Sequence, residues 1–422
     1  MRRLRASALL VAGVVLAAGC SSSSVDDRPV VEVFGSWRGV DAERFAAMIE
    51  PFEEETGIDV RIVGSASFVR DINDRATNAE LPDVGLFPQP ALISDFAQRG
   101  LLVPLAEATA SSQRNAYRDA VAAAVDDTIY GVWIKAAVKS LVWYRPDTFA
   151  ERGYDVPKTW ADLVTLTEEI ESDGMVPWCL SMESFSSTGW VGTDWIEDIV
   201  LRQQGPDLYD AWVSNEVSFE DAAIVAAFET FGELIHPPGR VLGGARRILN
   251  EPWQNAQTPM FDDDPGCLMN RQASFEEANL PSGVEIGEDV DVFGLPSVDG
   301  TEPPVLVAGN LAAAFNDRPE VQALLAYLAT PESGKGWAEL GGYTSPHPDF
   351  DPSWYANEFD RRVGEVLNSA RVVRFDGSDL MLPAVGTGTF WAGIVDFVRD
   401  ADARAAVAEI QKGYPMVEAS EG

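Results

Sequence analysis

Ile129-Tyr130-Gly131-Val132-Trp133-Ile134-Lys135-Ala136-Ala137-Val138-Lys139-Ser140-Leu141-Val142-Trp143-Tyr144 reads as two strands in succession with no helix between them. Everything before it alternates strand, loop and helix. Residues 30–34 make a short apolar strand, and Gly35-Ser36-Trp37-Arg38-Gly39 makes a loop. A helix follows from about Asp41, with Phe45, Met48, Ile49 and Phe52 at helical spacing. Pro51 is expected to kink or shorten that helix, and Gly57 to end it. A strand over 58–63, a loop at 65–68, a helix over 69–78 and a third strand over 82–87 come next. Such repetition builds a parallel α/β sheet, whose ligands lie in the crevice beyond the strand carboxyl ends. Trp37, Arg38, Ser67 and Gln89 sit in those loops. The break at 129–144 is therefore read as the crossing from this lobe into a second one.

Beyond the crossing, Thr159-Trp160-Ala161-Asp162 caps a helix to about Ser172. Then comes Pro177-Trp178-Cys179-Leu180-Ser181-Met182-Glu183-Ser184-Phe185-Ser186-Ser187-Thr188-Gly189-Trp190-Val191-Gly192-Thr193-Asp194-Trp195, where flat apolar faces alternate with hydroxyls and carboxylates. A pyranose offers a C–H face to an aromatic ring and a rim of hydroxyls to polar groups, so this composition suits a sugar pocket. A core strand over 178–182, a Ser/Gly loop and a helix start is the other reading. Asp194-Trp195-Ile196-Glu197 is also a capping box, so Asp194 serves either a ligand or the next helix.

Residues 221–235 are amphipathic. Strands are expected over 292–296 and 305–315, the second broken by Gly309-Asn310, and helices over 318–328 and 333–340. Arg374-Phe375-Asp376-Gly377-Ser378-Asp379 then leads to an aromatic helix start at Phe390-Trp391.

The 422 residues carry a formal net charge of -36, which disfavours nucleic acid and anionic membrane surfaces as partners. With 46% hydrophobic residues the chain can bury large cores. Met1-Arg2-Arg3-Leu4-Arg5 and the apolar run over 6–19, shorter than the roughly 20 residues of a spanning helix, spell an export signal. It ends in Leu16-Ala17-Ala18-Gly19-Cys20, which resembles a bacterial lipobox. That resemblance implies cleavage before Cys20, lipidation of Cys20 and a membrane anchor, with a tether over 20–28. Of the remaining cysteines, Cys179 and Cys267 form either a disulfide, as export favours, or a buried free pair. A disulfide would tie the Trp-rich loop to the acidic turn at 262–266, so that two distant stretches share one site.

Only His236 and His347 could serve as a histidine base, and no G-x-S-x-G turn exists. No Cys/His/Asp cluster has zinc spacing, so neither a catalytic metal nor a cofactor is expected. Asp262, Asp263 and Asp264 read as a solvated turn rather than a calcium loop. A two-carboxylate glycosidase is the serious rival, with Glu183, Asp376 and Asp379 able to share one cleft; it needs its carboxylates about 5 to 9.5 Å apart. Arg38, Arg271 and Arg374 keep open a phosphate-bearing solute such as a glycerophosphodiester.

Nearly the whole mature chain resembles the substrate-binding lipoproteins of bacterial carbohydrate ABC importers, most closely their alpha-glucoside branch. The resemblance is carried by Pro177-Trp178-Cys179, by Gly192-Thr193-Asp194-Trp195-Ile196-Glu197-Asp198-Ile199 and by Cys267-Leu268-Met269-Asn270-Arg271-Gln272-Ala273-Ser274-Phe275. Ala329-Thr330-Pro331-Glu332, Gly341-Gly342-Tyr343-Thr344-Ser345-Pro346-His347, the stretch over 374–381 and Thr389-Phe390-Trp391 extend it. It implies a two-lobed periplasmic-binding-protein-like α/β fold (type 2) with a ligand cleft between lobes joined by a multi-crossing hinge. On this reading residues 1–19 are the signal peptide, 29–138 with 303–345 form lobe 1, and 139–302 with 346–422 form lobe 2. It also implies a Cys179–Cys267 disulfide, a carbohydrate ligand, ABC permease partners, and no catalysis; the receptor is expected to be a monomer. The chain departs from the family pattern at Asn310, where an acid is expected, and at Asn270, where a basic residue or His is expected. An amide offers a sugar different donors and acceptors, which leaves the identity of the sugar open.

The expected ligand set is Trp37, Trp190 and Trp391 for stacking, Glu183, Asp376 and Asp379 as acceptors, and Gln89, Lys135 and Arg374 as donors, with Ser67, Asp194 and Asn310 beside them.

Overall fold

The computed structural model describes residues 28–117, 124–125 and 128–415. The expected signal peptide, Cys20 and all of the expected tether but Arg28 lie outside the described residues.

β1 (Val30–Gly35), β2 (Asp59–Gly64) and β3 (Val84–Phe87) are parallel, with β1 in the middle. They are joined by α1 (Val40–Thr56) and α2 (Phe68–Asn78), and α3 (Pro90–Gln98) follows β3. Alternate residues serve opposite faces of this sheet, as extended backbone requires. Val31, Val33, Val84 and Leu86 join the layer that holds Phe45, Met48 and Phe52 of α1, while Phe34 and Phe87 join Phe68 and Phe96 of α2 and α3. α1 runs through Pro51 instead of stopping there. The proline deprives the Ala47 carbonyl of its usual helical donor. Gly336 packs so closely there that a Cβ would stand 2.2 Å from that oxygen, so tertiary packing overrides the local breaker.

α4 (Glu107–Tyr117) and the small pair β4 (Ala124–Val125) and β5 (Thr128–Ile129) lead into the crossing. There β6 (Gly131–Val138) and β7 (Leu141–Tyr144) follow one another as expected, separated only by Lys139 and Ser140. They belong to different sheets: β7 pairs with β8 (Met269–Arg271) and β9 (Asp291–Gly294), whereas β6 pairs with β10 (Val305–Ala314). β10 is one continuous strand, with a bulge beside Asn310 where a break was expected. Gly309 is required here, because a Cβ would lie 2.1 Å from the Lys135 carbonyl oxygen.

One edge of β10 is lined by β6. The other is shared: residues 305–307 pair with β11 (Val373–Phe375) and residues 311–314 with β3. Ala308, Gly309 and Asn310 lie in the gap between them. β11, from the segment 346–422 expected in the second lobe, thus extends the six-stranded sheet of the first. The second lobe is mainly helical. The long helix at Trp190–Val213 packs Trp195, Ile196 and Ile199 into one core with Phe228 and Phe231 of Ala222–Ile235 and Phe397 of Trp391–Asp400.

Candidate functional site: a cleft between two aromatic walls

The gap along β10 is the floor of a cleft of about 480 Å³, a volume suited to a small solute. Ala308, Gly309 and Asn310 share that floor with Lys135, Ala136, Ala137 and Lys139 of the crossing. One wall is Trp37, Asp41 and Arg44 from the end of β1 and the start of α1, with Gln89 after β3. The facing wall is the cluster of Trp190, Trp253 and Phe275, Glu277 lies near Arg44, and Asp376, Ser378, Asp379 and Trp391 line the cleft as well.

The aromatic rings are braced from behind. Trp37 stands edge-on to Trp337 at 4.7 Å between ring centres, and Trp190 meets Trp253 at 5.1 Å in the same way. Gln89 Oε1, Glu277 Oε2 and Trp391 Nε1 are buried polar atoms with no protein partner, and all three residues line the cleft. Leaving such an atom unpaired costs about 1–3 kcal/mol, which a solute hydroxyl would offset. Lys135 makes no ion pair among the described residues; its ammonium lies 5.2 Å from the centre of the Trp337 ring, and burial pushes it below the ordinary lysine range.

Beneath the floor lies a buried charge network. Lys139 Nζ donates to Asp194 Oδ1 at 2.7 Å and to Asp376; Arg271 bonds Asp194 at 3.1 Å and Asp198; Arg202 bonds Asp198 in turn. Burial, and after it the charge of Asp376, pushes Glu197 far above the carboxylate range, and burial with the same neighbour does so for Asp379. Asp194, Asp198 and Asp376 lie against Lys139, Arg202 and Arg271, and those cations hold Asp198 and Asp376 below the ordinary carboxylate range despite their burial. Oxygens of Asp194, Glu197 and Asp376 all lie within 4.8 Å of one another, close enough for a metal, but Lys139 already supplies the cation to two of them. Glu197 instead accepts the N–H groups of Gly377 and Ser378 at 2.7 and 3.0 Å.

The profile of the bacterial extracellular solute-binding proteins matches residues 39–335. The chain belongs to that family. The solute-binding protein is 40% identical over 98% of its length to the whole of the osmoprotective compounds-binding protein GgtB of Synechocystis sp.. It is 37% identical to the alpha-glucosides-binding periplasmic protein AglE of Rhizobium meliloti, over 91% of this chain and 87% of that one. Two solved structures share its two-lobed fold at lower identity. The solute receptor AcbH, described as preferring galactopyranose, superposes with a TM-score of 0.76 at 17% identity, covering 92% of this chain and 97% of that one. A maltose-bound MalE3 of T. maritima gives 0.67 at 18% identity, covering 91% and 98%.

In this solute-binding protein the cleft gathers Trp37, Gln89, Lys135, Trp190, Asn310, Asp376, Asp379 and Trp391 from distant parts of the sequence. Four expected residues are engaged elsewhere. Ser67 starts α2, its N–H on Ser65 Oγ at 3.0 Å and its carbonyl accepting from Asp71. Glu183 Oε1 accepts the N–H of Phe185 at 2.8 Å. Arg374 makes a bidentate pair with Asp210 at 2.6 and 2.8 Å. Asp194 is neither cap nor ligand: its helix begins at Trp190, so its carboxylate emerges a turn later, against Lys139 and Arg271.

Of the three tryptophans in 177–195, Trp178 and Trp195 are core and Trp190 faces the cleft. Cys179 and Cys267 are joined by a disulfide, but it packs with Met260 away from the cleft, and Asp262, Asp263 and Asp264 are exposed. Asn270 is buried and donates to Glu276 at 3.4 Å. Trp253, Phe275, Glu277, Asp41, Arg44 and Lys139 were not foreseen. Asp41 and Arg44 had a signal, since they open the helix directly after the Trp37 loop.

Proposed function

We propose that this protein is a lipid-anchored receptor on the extracytoplasmic face that captures an alpha-linked glucoside and delivers it to the permease of an ABC importer. The observation that carries the reading is the pair of aromatic walls, Trp37 against Trp190 and Trp253, in a cleft whose lining residues Gln89, Glu277 and Trp391 hold buried polar atoms without a protein partner. Aromatic faces match the C–H face of a sugar, and the unpaired Gln89, Glu277 and Trp391 atoms match its hydroxyls. The 37% identity to an alpha-glucosides-binding protein supports this solute class. Binding without catalysis is supported by the acids themselves. Glu183 is spent on a backbone N–H, and Asp376 is held by Lys139 and by Ser378 Oγ at 2.7 Å. A phosphate-bearing solute is disfavoured because Arg271 and Arg374 are both committed to aspartates. Solute that favours the closed arrangement of the lobes shifts the population toward it, and that arrangement engages the permease.

Thermal unfolding of the purified protein against trehalose, maltose, sucrose, glycerophosphodiesters and peptides tests this. A ligand at 100 times its Kd adds about 2.7 kcal/mol, or about 3 °C in the midpoint for a chain of this size. A shift with an alpha-glucoside recovered uncleaved is the expected result; cleaved sugar, or a shift only with another solute, overturns it. Cys20→Ser should move the protein from the membrane fraction to the soluble one, and retention in the membrane would remove the anchor.

A further inference from the structure

Glu277 stands in the cleft wall on a short 3-10 turn, Ser274–Asn279, that Ser274 fastens to the crossing strand by accepting the Val138 N–H at 3.2 Å. Its neighbour is another carboxyl, Asp360, at the start of the helix Glu358–Ser369. A Cβ built on Gly341 would lie 3.7 Å from both Glu277 Oε1 and Asp360 Oδ2, which puts the two acids beside the same glycine. Asp360 Oδ2 is already fixed by the Gly342 N–H at 2.9 Å and the Asn357 amide at 3.1 Å. Glu277 has no such donor; its Oε2 is buried, unpartnered, and belongs to a residue of the cleft lining.

The charged groups around it are Asp41 and Arg44 from α1, Lys135 from β6 and Asp360. Neither Lys135 nor Arg44 forms an ion pair with Glu277 among the described residues, and the adjacent Glu276 turns instead toward Asn279 and Asn270. Two adjacent carboxyls with one set of donors between them are stable as a pair sharing one proton.

We propose that Glu277 and Asp360 share a proton, that Asp360 is thereby the positioning residue for Glu277, and that the wall so fixed presents Glu277 Oε2 to a solute hydroxyl as a neutral acceptor. The proton sits on Glu277 and is donated to Asp360, because Asp360 holds the two N–H donors that favour an anion. Burial first, and the neighbouring acid second, push Glu277 up to about 8, in keeping with this. Closing the cleft over a solute removes water from the pair, which an added anion resists. Solute binding above that range therefore takes up a proton.

The proposal rests on the sugar-receptor reading, and its test separates the two. Affinity for whichever of trehalose, maltose or sucrose binds at pH 6 is measured by titration calorimetry from pH 6 to 9. The wild type should weaken by about tenfold across that range, because binding at the high end must take up the proton that the free protein has lost. Glu277→Gln, whose amide donates to Asp360 without needing a titratable proton, should keep the pH 6 affinity throughout. Glu277→Ala should bind weakly at every pH. A wild-type affinity independent of pH, or a Glu277→Gln profile that follows the wild type, overturns the shared proton. Absence of binding by any of the three sugars at every pH overturns the receptor reading instead.

Discussion

Two lysines four residues apart on the same crossing, Lys135 and Lys139, face the same cleft and do opposite work. Burial alone would push both down. Lys139 is gripped by Asp194 and Asp376, which hold it above the ordinary lysine range, and behind them stand Arg271, Asp198 and Arg202. Lys135 has only more distant acids, Asp41, Asp360 and Glu277, and stays below that range. A charge locked into a saturated network holds the floor together, whereas one left with its donors free is held for something that arrives later.

Lys139→Met should break the comparison hardest. It leaves Asp194 and Asp376 buried without their shared cation, at a cost of about 3–5 kcal/mol in denaturant unfolding. A loss below about 1 kcal/mol would mean that the network is not what holds the floor. Lys135→Met should change unfolding by less than about 0.5 kcal/mol, because no ion pair is lost, yet weaken solute binding by about tenfold, or about 1.4 kcal/mol. Equal affinity in that variant would reduce Lys135 to packing.

The smallest effect is on pH. Burial pushes Asp194 up to about 7 and Glu277 up to about 8, so across the pH range between their ordinary values and these the folded state holds protons that the unfolded state releases. Stability should fall as pH rises from about 5 to about 8. Asp376, held down at about 2 by Lys139 against its burial, acts the other way. Its contribution is present above pH 3.8 and disappears as pH falls toward about 2. A midpoint that rises between pH 5 and 8 would contradict the raised values of Asp194 and Glu277.

The first lobe was legible because its strands and helices declare themselves by period, and because parallel sheets put their ligand loops at predictable ends. Trp37 and Gln89 were found that way. Trp253, Phe275 and Glu277 were not, since they occupy 3-10 turns with no repeat to mark them. Asp194 and Glu183 misled for a related reason. A carboxylate in a polar loop looks the same in sequence whether its partner is a solute, a lysine from fifty-five residues away or the N–H two residues on.

The bulged middle of β10 has a mechanical consequence. Its two ends are clamped along one edge by different strands, β11 and β3, while Ala308, Gly309 and Asn310 between them touch the cleft. In a receptor that opens and shuts, this places the solute at the axle and not at the rim. A displacement of a fraction of an ångström there, too small to matter for grip, is multiplied by the length of each lobe at its outer surface. The surface presented to a partner can then report occupancy without itself touching what is bound.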